Sequence, residues 1–484
     1  MKKVLTVLLT LLLVLAVAAF GGYRYFQKTY LVMNGEIIRR DTTSLDMTEK
    51  DLAELEKVTE LPNLQILDLR GSGLTTEQYD WLRAELPACE IRWTIPFQGE
   101  HYHQTDSELT ISAITPEEIE DLAYFENLKT VDATAMTDLE TVMALQAMYP
   151  QVEVIYQVNV AGQILKKDAV SLTADNADVE ELMEKLPYLP NMVDITFTGT
   201  VPANEEILRL KQAYPDIAFH WEFSLFGMDV TSDTTELDLS GIAMEDVTEL
   251  EAALAYFNDL QKVIMCDTGL SSEEIDALWK RHPQTRFIWN VWVGECELRT
   301  DTTAFIPYTF GYTGEDGKPS EKLHKKDFVD MKYLVDMVCM DLGHMRPGDI
   351  SFVAYMPNLE YLLLCDTQIK DISPIANCTK LKYLELFSNS ISDFSPLATC
   401  VALEDVNISF NPIKDITPLY ELENLKNIWL TGLNREQREK LAEANPEAKI
   451  VYATSSAVCE GWRELPNYYK QRDLLGMFYM KDVA

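Results

Sequence analysis

A 22-residue period between residues 337 and 433 constrains the fold of this 484-residue chain more than any other feature. In each period, apolar residues stand at three positions with the spacing L-x-x-L-x-L. The first position holds Met337, Leu359, Leu381, Leu403 and Leu425, the second Met340, Leu362, Leu384, Val406 and Ile428, and the third Leu342, Leu364, Leu386, Ile408 and Leu430. A single turn cannot bury its apolar face, so turns stack and share one elongated core. The pattern therefore predicts a solenoid.

The remainder of the period repeats as well. An aspartate column holds Asp349, Asp371, Asp393 and Asp415, and Ser-Pro or Thr-Pro follows the last three of them. With these columns, segments 389–397 and 411–419 resemble the internalin-type leucine-rich repeats of bacteria. The resemblance implies a horseshoe with a parallel sheet on its concave face, and it implies that this face binds proteins.

A longer unit fills residues 30–305. Its copies are marked by Pro87, Pro150, Pro215 and Pro283, at intervals of 63, 65 and 68 residues. An alternating apolar strand follows each proline, and a glycine stands eleven or twelve residues after it, at Gly99, Gly162, Gly227 and Gly294. The L-x-x-L-x-L spacing also reappears inside each copy, between stretches with the apolar spacing of helices. We therefore expect two or three solenoid turns per copy, with helical outer arms and a β-hairpin at the glycine.

These observations divide the chain into five segments. We expect a signal or membrane-anchor segment at 1–29, long compound repeats at 30–305, an irregular connecting loop at 306–336, 22-residue repeats with a last turn at 337–454, and a C-terminal cap at 455–484. A partner-binding helix is the alternative for the last segment. The predicted fold class is α/β: a leucine-rich-repeat solenoid with a parallel concave sheet, helical outer arms and β-hairpin insertions, preceded by one N-terminal hydrophobic helix.

The first residues have the pattern of an export signal. Lys2 and Lys3 precede an uninterrupted apolar run over residues 4–20. The run is long for a cleaved signal, and aromatic and basic residues follow it, as they do at membrane interfaces. We therefore expect an uncleaved helix that anchors the chain in the membrane. Cleavage near Ala18, with secretion of the remainder, is the alternative.

Composition and motifs limit the chemistry. A formal net charge of −37 would repel nucleic acid. The sequence contains no Gly-rich phosphate loop, H-E-x-x-H or G-x-S-x-G motif, so we predict a non-enzymatic protein without a cofactor. We expect the aspartate column to close its own turns, with a Ca²⁺-binding ladder as the alternative. Cys378 and Cys400, one period apart, are interpreted as small buried apolar residues, with a disulfide as the alternative.

Candidate binding residues are the side chains that alternate with the core residues of each predicted strand. We expect them to point away from the core on the concave face. The candidates are Tyr361, Tyr383, Glu385, Phe387, Phe410 and Trp429. Aromatic side chains in such a position suit a hot spot for protein binding. A second candidate site is the loop with Tyr308, Phe310 and Tyr312.

The sequence thus predicts a leucine-rich-repeat protein that binds a protein ligand at a bacterial cell surface. A cell-envelope glycan or peptidoglycan binder is the first alternative, and it needs exposed aromatic side chains. The aromatic column Trp93, Tyr156, Trp221, Trp289 and Tyr452 is instead predicted to lie in the core. An envelope enzyme with a site in the long repeats, built from acids with His103 or His220, is the second alternative.

Overall fold

The computed structural model describes residues 2–307 and 323–477. The chain forms two compact units, Met1–Trp221 and Glu222–Ala484. The first unit begins with helix α1 (Lys2–Thr29), on which apolar side chains such as Leu8 and Leu12 are exposed. Nowhere in the two described ranges does a helix combine the length and the apolar character needed to cross a membrane.

Hairpins alternate with three-stranded parallel sheets along the described part of the first unit. Its strands are β1 (Tyr30–Met33), β2 (Glu36–Arg39), β3 (Ser44–Asp46), β4 (Ile66–Asp68), β5 (Glu90–Arg92), β6 (Thr94–Phe97), β7 (Glu100–His103), β8 (Glu108–Thr110), β9 (Thr130–Asp132), β10 (Glu153–Ile155), β11 (Gln157–Val160), β12 (Gln163–Lys166), β13 (Ser171–Asp175), β14 (Asp194–Thr198) and β15 (Ala218–His220). The pairs β1–β2, β6–β7 and β11–β12 are the hairpins. In the first sheet, Leu45, Leu67 and Ile91 lie side by side and are buried, as the repeated spacing predicts.

The predicted glycine turns are confirmed, and their backbone explains the residue type. Gln98 and Gly99 connect β6 to β7, and both have positive φ angles, 51° and 80°. Two-residue hairpin loops of this kind match the twist of the strands and favour glycine at the second position. Ala161 and Gly162 repeat the arrangement between β11 and β12.

The predicted helical arms are also confirmed in the first unit. The helices are α2 (Thr76–Glu85), α3 (Pro116–Asp121), α4 (Leu139–Met148), α5 (Val179–Lys185) and α6 (Asn204–Ala213). The Thr75 side chain accepts from the Gln78 backbone at the start of α2, and Gln78 accepts from the Thr75 backbone in return, which satisfies two otherwise unpaired donors. Leu82 and Leu210 are fully buried on the inner faces of their helices.

The second unit begins with one more long repeat. Its elements are β16 (Glu222–Leu225), β17 (Met228–Thr231), β18 (Glu236–Asp238), α7 (Thr248–Ala253), β19 (Lys262–Ile264), α8 (Ser272–Arg281), β20 (Arg286–Ile288), β21 (Asn290–Val293) and β22 (Cys296–Arg299). Strands β18–β20 form a parallel sheet, flanked in sequence by the hairpins β16–β17 and β21–β22.

A seven-stranded parallel sheet follows, and it contains the 22-residue repeats. Its strands are β23 (Ala304–Phe305), β24 (Cys339–Asp341), β25 (Tyr361–Leu363), β26 (Tyr383–Glu385), β27 (Asp405–Asn407), β28 (Asn427–Leu430) and β29 (Lys449–Tyr452), in sheet order. Each strand pairs with the next in register, so that Leu362, Leu384 and Val406 lie side by side. These three side chains are fully buried, as predicted.

Short 3₁₀ helices form the outer arms of this sheet, at Lys325–Tyr333, Ser351–Tyr355, Ser373–Asn377, Ser395–Thr399 and Thr417–Tyr420, and α9 (Arg435–Ala444) forms the last arm. The first of these helices, Lys325–Tyr333, shows that the irregular loop expected at 306–336 is wrong for part of that range. Phe328 and Met331 are buried one period before Ile350 and Val353, so this segment is a further turn of the solenoid.

Asparagines inside the turns hold neighbouring turns together. The buried Asn389 donates from Nδ2 to the carbonyls of Leu364 and Leu386, at 2.7 and 2.9 Å. Its Oδ1 accepts from the backbone of Thr367 at 3.1 Å. Asn411 repeats these donor contacts one turn later. These amides satisfy main-chain groups that would otherwise be buried without a partner.

Candidate protein-binding face

The concave face is the side of the β24–β29 sheet that carries the residues between the core positions. Its first column holds Cys339, Tyr361, Tyr383, Asp405, Asn427 and Lys449, and its second holds Asp341, Leu363, Glu385, Asn407, Trp429 and Val451. The register places the candidates from neighbouring strands side by side. Tyr383 and Trp429 therefore belong to one patch, as the repeat pattern predicts.

The expectation that these side chains face solvent is wrong for most of them. Tyr361, Tyr383, Glu385 and Trp429 have 0% exposure, and Phe387 has 8%. Phe410 alone among the six candidates is exposed, at 39%. Their burial has one cause, because a later part of the chain lies on this face. Their part in binding a partner stays a prediction.

Residues 454–477, here called the C-terminal segment, cover the concave face. The segment contains the 3₁₀ helix Trp462–Glu464 and helix α10 (Pro466–Leu474). Trp462 is fully buried in one cluster with Tyr361, Tyr383 and Trp429. The segment expected to cap the end of the solenoid thus packs across the sheet.

Trp462 anchors the segment through shape and hydrogen bonding. Its ring lies 5.2 Å from that of Tyr383 and 5.1 Å from that of Trp429, measured between ring centres. Its Nε1 donates to Glu385 Oε1 at 2.7 Å, and the Tyr383 hydroxyl donates to the same oxygen at 2.6 Å. Aromatic rings at such distances attract one another beyond the effect of burial alone.

Three polar side chains of the face bind the main chain of the segment. Asn407 Nδ2 donates to the Ala457 carbonyl at 2.8 Å, and Trp429 Nε1 donates to the Cys459 carbonyl at 2.9 Å. Lys449 Nζ donates to the Glu460 carbonyl at 2.6 Å. Because carbonyls are common to all peptides, these contacts recognise a polypeptide backbone.

Acidic groups of the face meet basic or amide groups of the segment. Arg463 Nη2 lies 3.8 Å from Glu385 Oε2, and Arg472 Nη1 lies 3.6 Å from Asp341 Oδ2. Burial raises the pKa of both carboxyl groups, although the arginines oppose the shift.

Asp405 accepts a direct hydrogen bond from the segment. Asn467 Nδ2 donates to Asp405 Oδ2 at 3.0 Å and to Glu404 Oε2 at 2.9 Å. Burial also raises the pKa of Asp405, while its amide partners lower it. The face is therefore acidic, and the segment presents basic and amide groups to it.

The other predicted candidates lie elsewhere. Tyr308, Phe310 and Tyr312 fall outside the described residues. Trp93, Tyr156, Trp221 and Trp289 are buried, as the core interpretation predicts, and a glycan cannot stack on them. Tyr452, the last residue of the column, is only half-buried, so the core interpretation is wrong for it, and the Arg438 guanidinium lies 4.4 Å from the centre of its ring.

The aspartate column closes its own turns. Asp371, Asp393 and Asp415 accept from the backbone of the residue two positions on, at 2.8, 2.8 and 2.9 Å. Within residues 2–307 and 323–477, no group of three or more His, Cys, Asp or Glu side chains is arranged to hold a metal ion. Cys378 and Cys400 are free thiols in the core. Ca²⁺ binding therefore has no support from the geometry.

His103 lines a cavity of 520 Å³ in the first unit, with Glu90, Arg70 and Arg92. Arg92 pairs with Glu90 at 2.7 Å, and Arg70 pairs with Asp68 at 2.6 Å. The Glu90 carboxylate, one of the acids that line this cavity, is thus held in an ion pair.

Reasoning from the sequence missed Trp462, Arg463 and Asn467 as parts of the site. One signal could have found them: the intervening positions Tyr361, Leu363 and Trp429 are too apolar for a face left open to water. The apolar tail is the part of the chain with enough surface to cover them.

A family model for two leucine-rich repeats matches residues 357–399. No curated protein matches the chain. Among solved structures, internalin C2 of Listeria monocytogenes is 16% identical over 47% of this chain and 76% of that chain, with a TM-score of 0.23. A second internalin of that bacterium is 15% identical over 93% and 90%, with a TM-score of 0.22. A leucine-rich-repeat protein of Leptospira interrogans is 15% identical over 94% and 97%, with a TM-score of 0.25.

The repeat register and the matched family model both identify leucine-rich repeats. Both agree over the same residues, because segment 357–399 contains strands β25 and β26 and the arms beside them. Scaffolds of this kind bind proteins. The 22-residue turns of this chain are leucine-rich repeats, and the sheet that they build has the leucine-rich-repeat fold.

Proposed function

We propose that this chain is a non-enzymatic protein of the bacterial cell surface that binds a protein ligand through the concave face of its 22-residue repeats. One observation carries the proposal. The face already holds a polypeptide, and Asn407, Trp429 and Lys449 bind that polypeptide by its main-chain carbonyls. A face with this chemistry suits a peptide segment of another protein.

The location outside the cytoplasm rests on the sequence. Lys2 and Lys3 followed by an apolar run are typical of export signals. If the run is retained, it anchors the chain in the membrane, and the repeats lie outside. If it is cleaved, the repeats are secreted. An amine reagent that does not cross membranes should label the repeats on intact cells after the wall is removed.

Photo-crosslinking tests the binding face. Phe410 follows strand β27 by three residues and is 39% exposed, so a p-benzoylphenylalanine in its place can reach a ligand without disturbing the core. The full chain carrying this group is mixed with envelope fractions and irradiated. We expect one protein to be crosslinked.

The matched control places the same group at Val401, which is 60% exposed and precedes the core position Leu403 on the approach to its strand. Equal crosslinking from both positions, or none from Phe410, contradicts the proposal.

A further inference from the structure

The C-terminal segment fits the concave face incompletely. Among the described residues, five buried polar atoms on the face and the segment lack a hydrogen-bond partner: Tyr361 Oη, Glu385 Oε2, Ser409 Oγ, Gln471 Nε2 and Gln471 Oε1. Glu385 and Gln471 have no exposed surface. A buried polar atom without a partner weakens the state that buries it. An occupant that gave these atoms hydrogen-bond partners would therefore bind the face with a more favourable free energy than the segment does.

The ion pairs between the segment and the face also indicate an incomplete fit. Arg463 and Arg472 lie 3.8 and 3.6 Å from their carboxylates, which is beyond hydrogen-bond distance. The Arg463 side chain is 43% exposed, although the Glu385 carboxylate that it faces is fully buried. A cation seated closer to Glu385 Oε2 would satisfy an oxygen that Arg463 leaves unpaired.

Covalent attachment adds to the contacts that hold the segment on the face. Thr454 and Ser455, exposed residues, join it to the last strand. A short tether gives an effective concentration in the millimolar range, so even a modest fit keeps the face occupied. A partner in solution must overcome this local competitor.

We propose that the partner replaces the C-terminal segment with a peptide that carries a tryptophan directly followed by arginine or lysine. This inference rests on the proposed function, because it names the chemistry of the protein ligand. The tryptophan occupies the slot between Tyr383 and Trp429, and the basic residue approaches Glu385 Oε2. A second copy of this chain, exchanging its own segment, is the rival occupant that the test below distinguishes.

The slot selects tryptophan for a physical reason. Glu385 Oε1 accepts from the Trp462 Nε1 at 2.7 Å, so the slot requires a ring with a donor. Phenylalanine would fill the space between the rings but leave this contact unmade. A site built around a buried hydrogen bond rejects a ligand that lacks the matching donor. Tryptophan and phenylalanine peptides should therefore differ in affinity.

The test uses two molecules. One is a fluorescent peptide with the sequence of residues 454–477, and the other is the full chain carrying Trp462→Ala. This substitution removes the anchor of the resident segment and leaves the face intact. Fluorescence anisotropy should show the peptide binding at least tenfold more tightly to Trp462→Ala than to the wild type, because the resident competitor is weakened. Trp292→Ala is the matched control, since Trp292 is 56% exposed on β21, and it should bind the peptide as the wild type does.

Three further peptides test the recognition chemistry. Replacing the peptide tryptophan by alanine should reduce affinity roughly thirtyfold, as for a central anchor residue. Replacing it by phenylalanine should reduce affinity about tenfold, because the Glu385 contact is lost. Replacing the following arginine by alanine should also weaken binding, and more so at low salt. Equal affinity of the tryptophan, phenylalanine and alanine peptides would overturn the inference.

A second variant serves if Trp462→Ala fails to fold. A protease site inserted between Thr454 and Ser455 leaves every buried residue unchanged. After cleavage, the labelled peptide should exchange with the released segment. A folded, cleaved protein that never exchanges its segment would overturn the inference. So would a wild-type dimer that Trp462→Ala dissociates, because it would assign the face to a second copy. The crosslink from Phe410 tests the proposed function separately, so failure of this inference and failure of that function are distinguishable.

Discussion

Trp462 and Glu385 are 77 residues apart in the chain, and Trp462 Nε1 donates to Glu385 Oε1 at 2.7 Å. The contact joins the C-terminal segment to the middle of the repeat sheet. It explains why the concave face, which should be the open surface of such a solenoid, is buried.

Trp429→Ala should destabilise the protein by about 3 kcal/mol or more, because it opens a cavity in a buried aromatic cluster. It also removes the donor to the Cys459 carbonyl. Phe410→Ala, at a residue that is 39% exposed, should change the free energy of unfolding by no more than about 0.5 kcal/mol. Urea unfolding of both variants measures the difference. Similar midpoints for the two would show that the segment does not cover Trp429 in solution.

Asn389→Ala should destabilise the repeats by about 2 kcal/mol or more, since it leaves the buried carbonyl of Leu364 without this donor and the backbone N–H of Thr367 without its acceptor. Asn424 is the matched control. Its Nδ2 also donates to a carbonyl, that of Val401 at 2.8 Å, but on the surface. Asn424→Ala should therefore have a small effect in the same denaturation experiment. An equal loss for both variants would count against the internal role of Asn389.

Glu385→Gln tests the pH dependence. Burial raises the pKa of Glu385 above its ordinary value of 4.5, so the folded state holds its proton more tightly than the unfolded state. The stability linked to this group is present below pH 4.5 and is lost as the pH rises through the folded pKa. We expect Glu385→Gln, which stays neutral, to gain stability relative to the wild type as the pH rises above 4.5.

Glu436→Gln provides a control of opposite sign. A hydrogen bond from Lys440 lowers the pKa of Glu436, so its ionised form is the favoured one in the fold. This variant should lose rather than gain stability relative to the wild type as the pH rises. Parallel pH profiles for the two glutamine variants would refute the assignment of Glu385 as a buried, disfavoured carboxylate.

Local patterns predicted the repeats well. The spacing of Leu362, Leu384 and Val406 is a property of neighbouring turns, and stacking alone determines that they are buried. Glycine after a short strand predicts a hairpin, because the turn needs a positive φ at that residue. Such features depend on contacts between residues that the repeat itself brings together.

The burial of the concave face could not be predicted from such local patterns. Whether Tyr383 and Trp429 are exposed depends on Trp462, which lies outside the repeats and follows no period. Apolar residues in a tail indicate that it packs on something, but they do not indicate where. Only the unusually apolar intervening positions indicate that the tail packs on the sheet and not on the end of the solenoid.

The most direct measurement is the dissociation constant of the protein captured at Phe410, compared between the wild type, Trp462→Ala and Trp292→Ala. If the partner displaces the C-terminal segment, Trp462→Ala should bind it at least tenfold more tightly than the wild type, and Trp292→Ala should bind it equally well. Equal or weaker binding by a folded Trp462→Ala chain would contradict the claim that the partner and the C-terminal segment share the concave face.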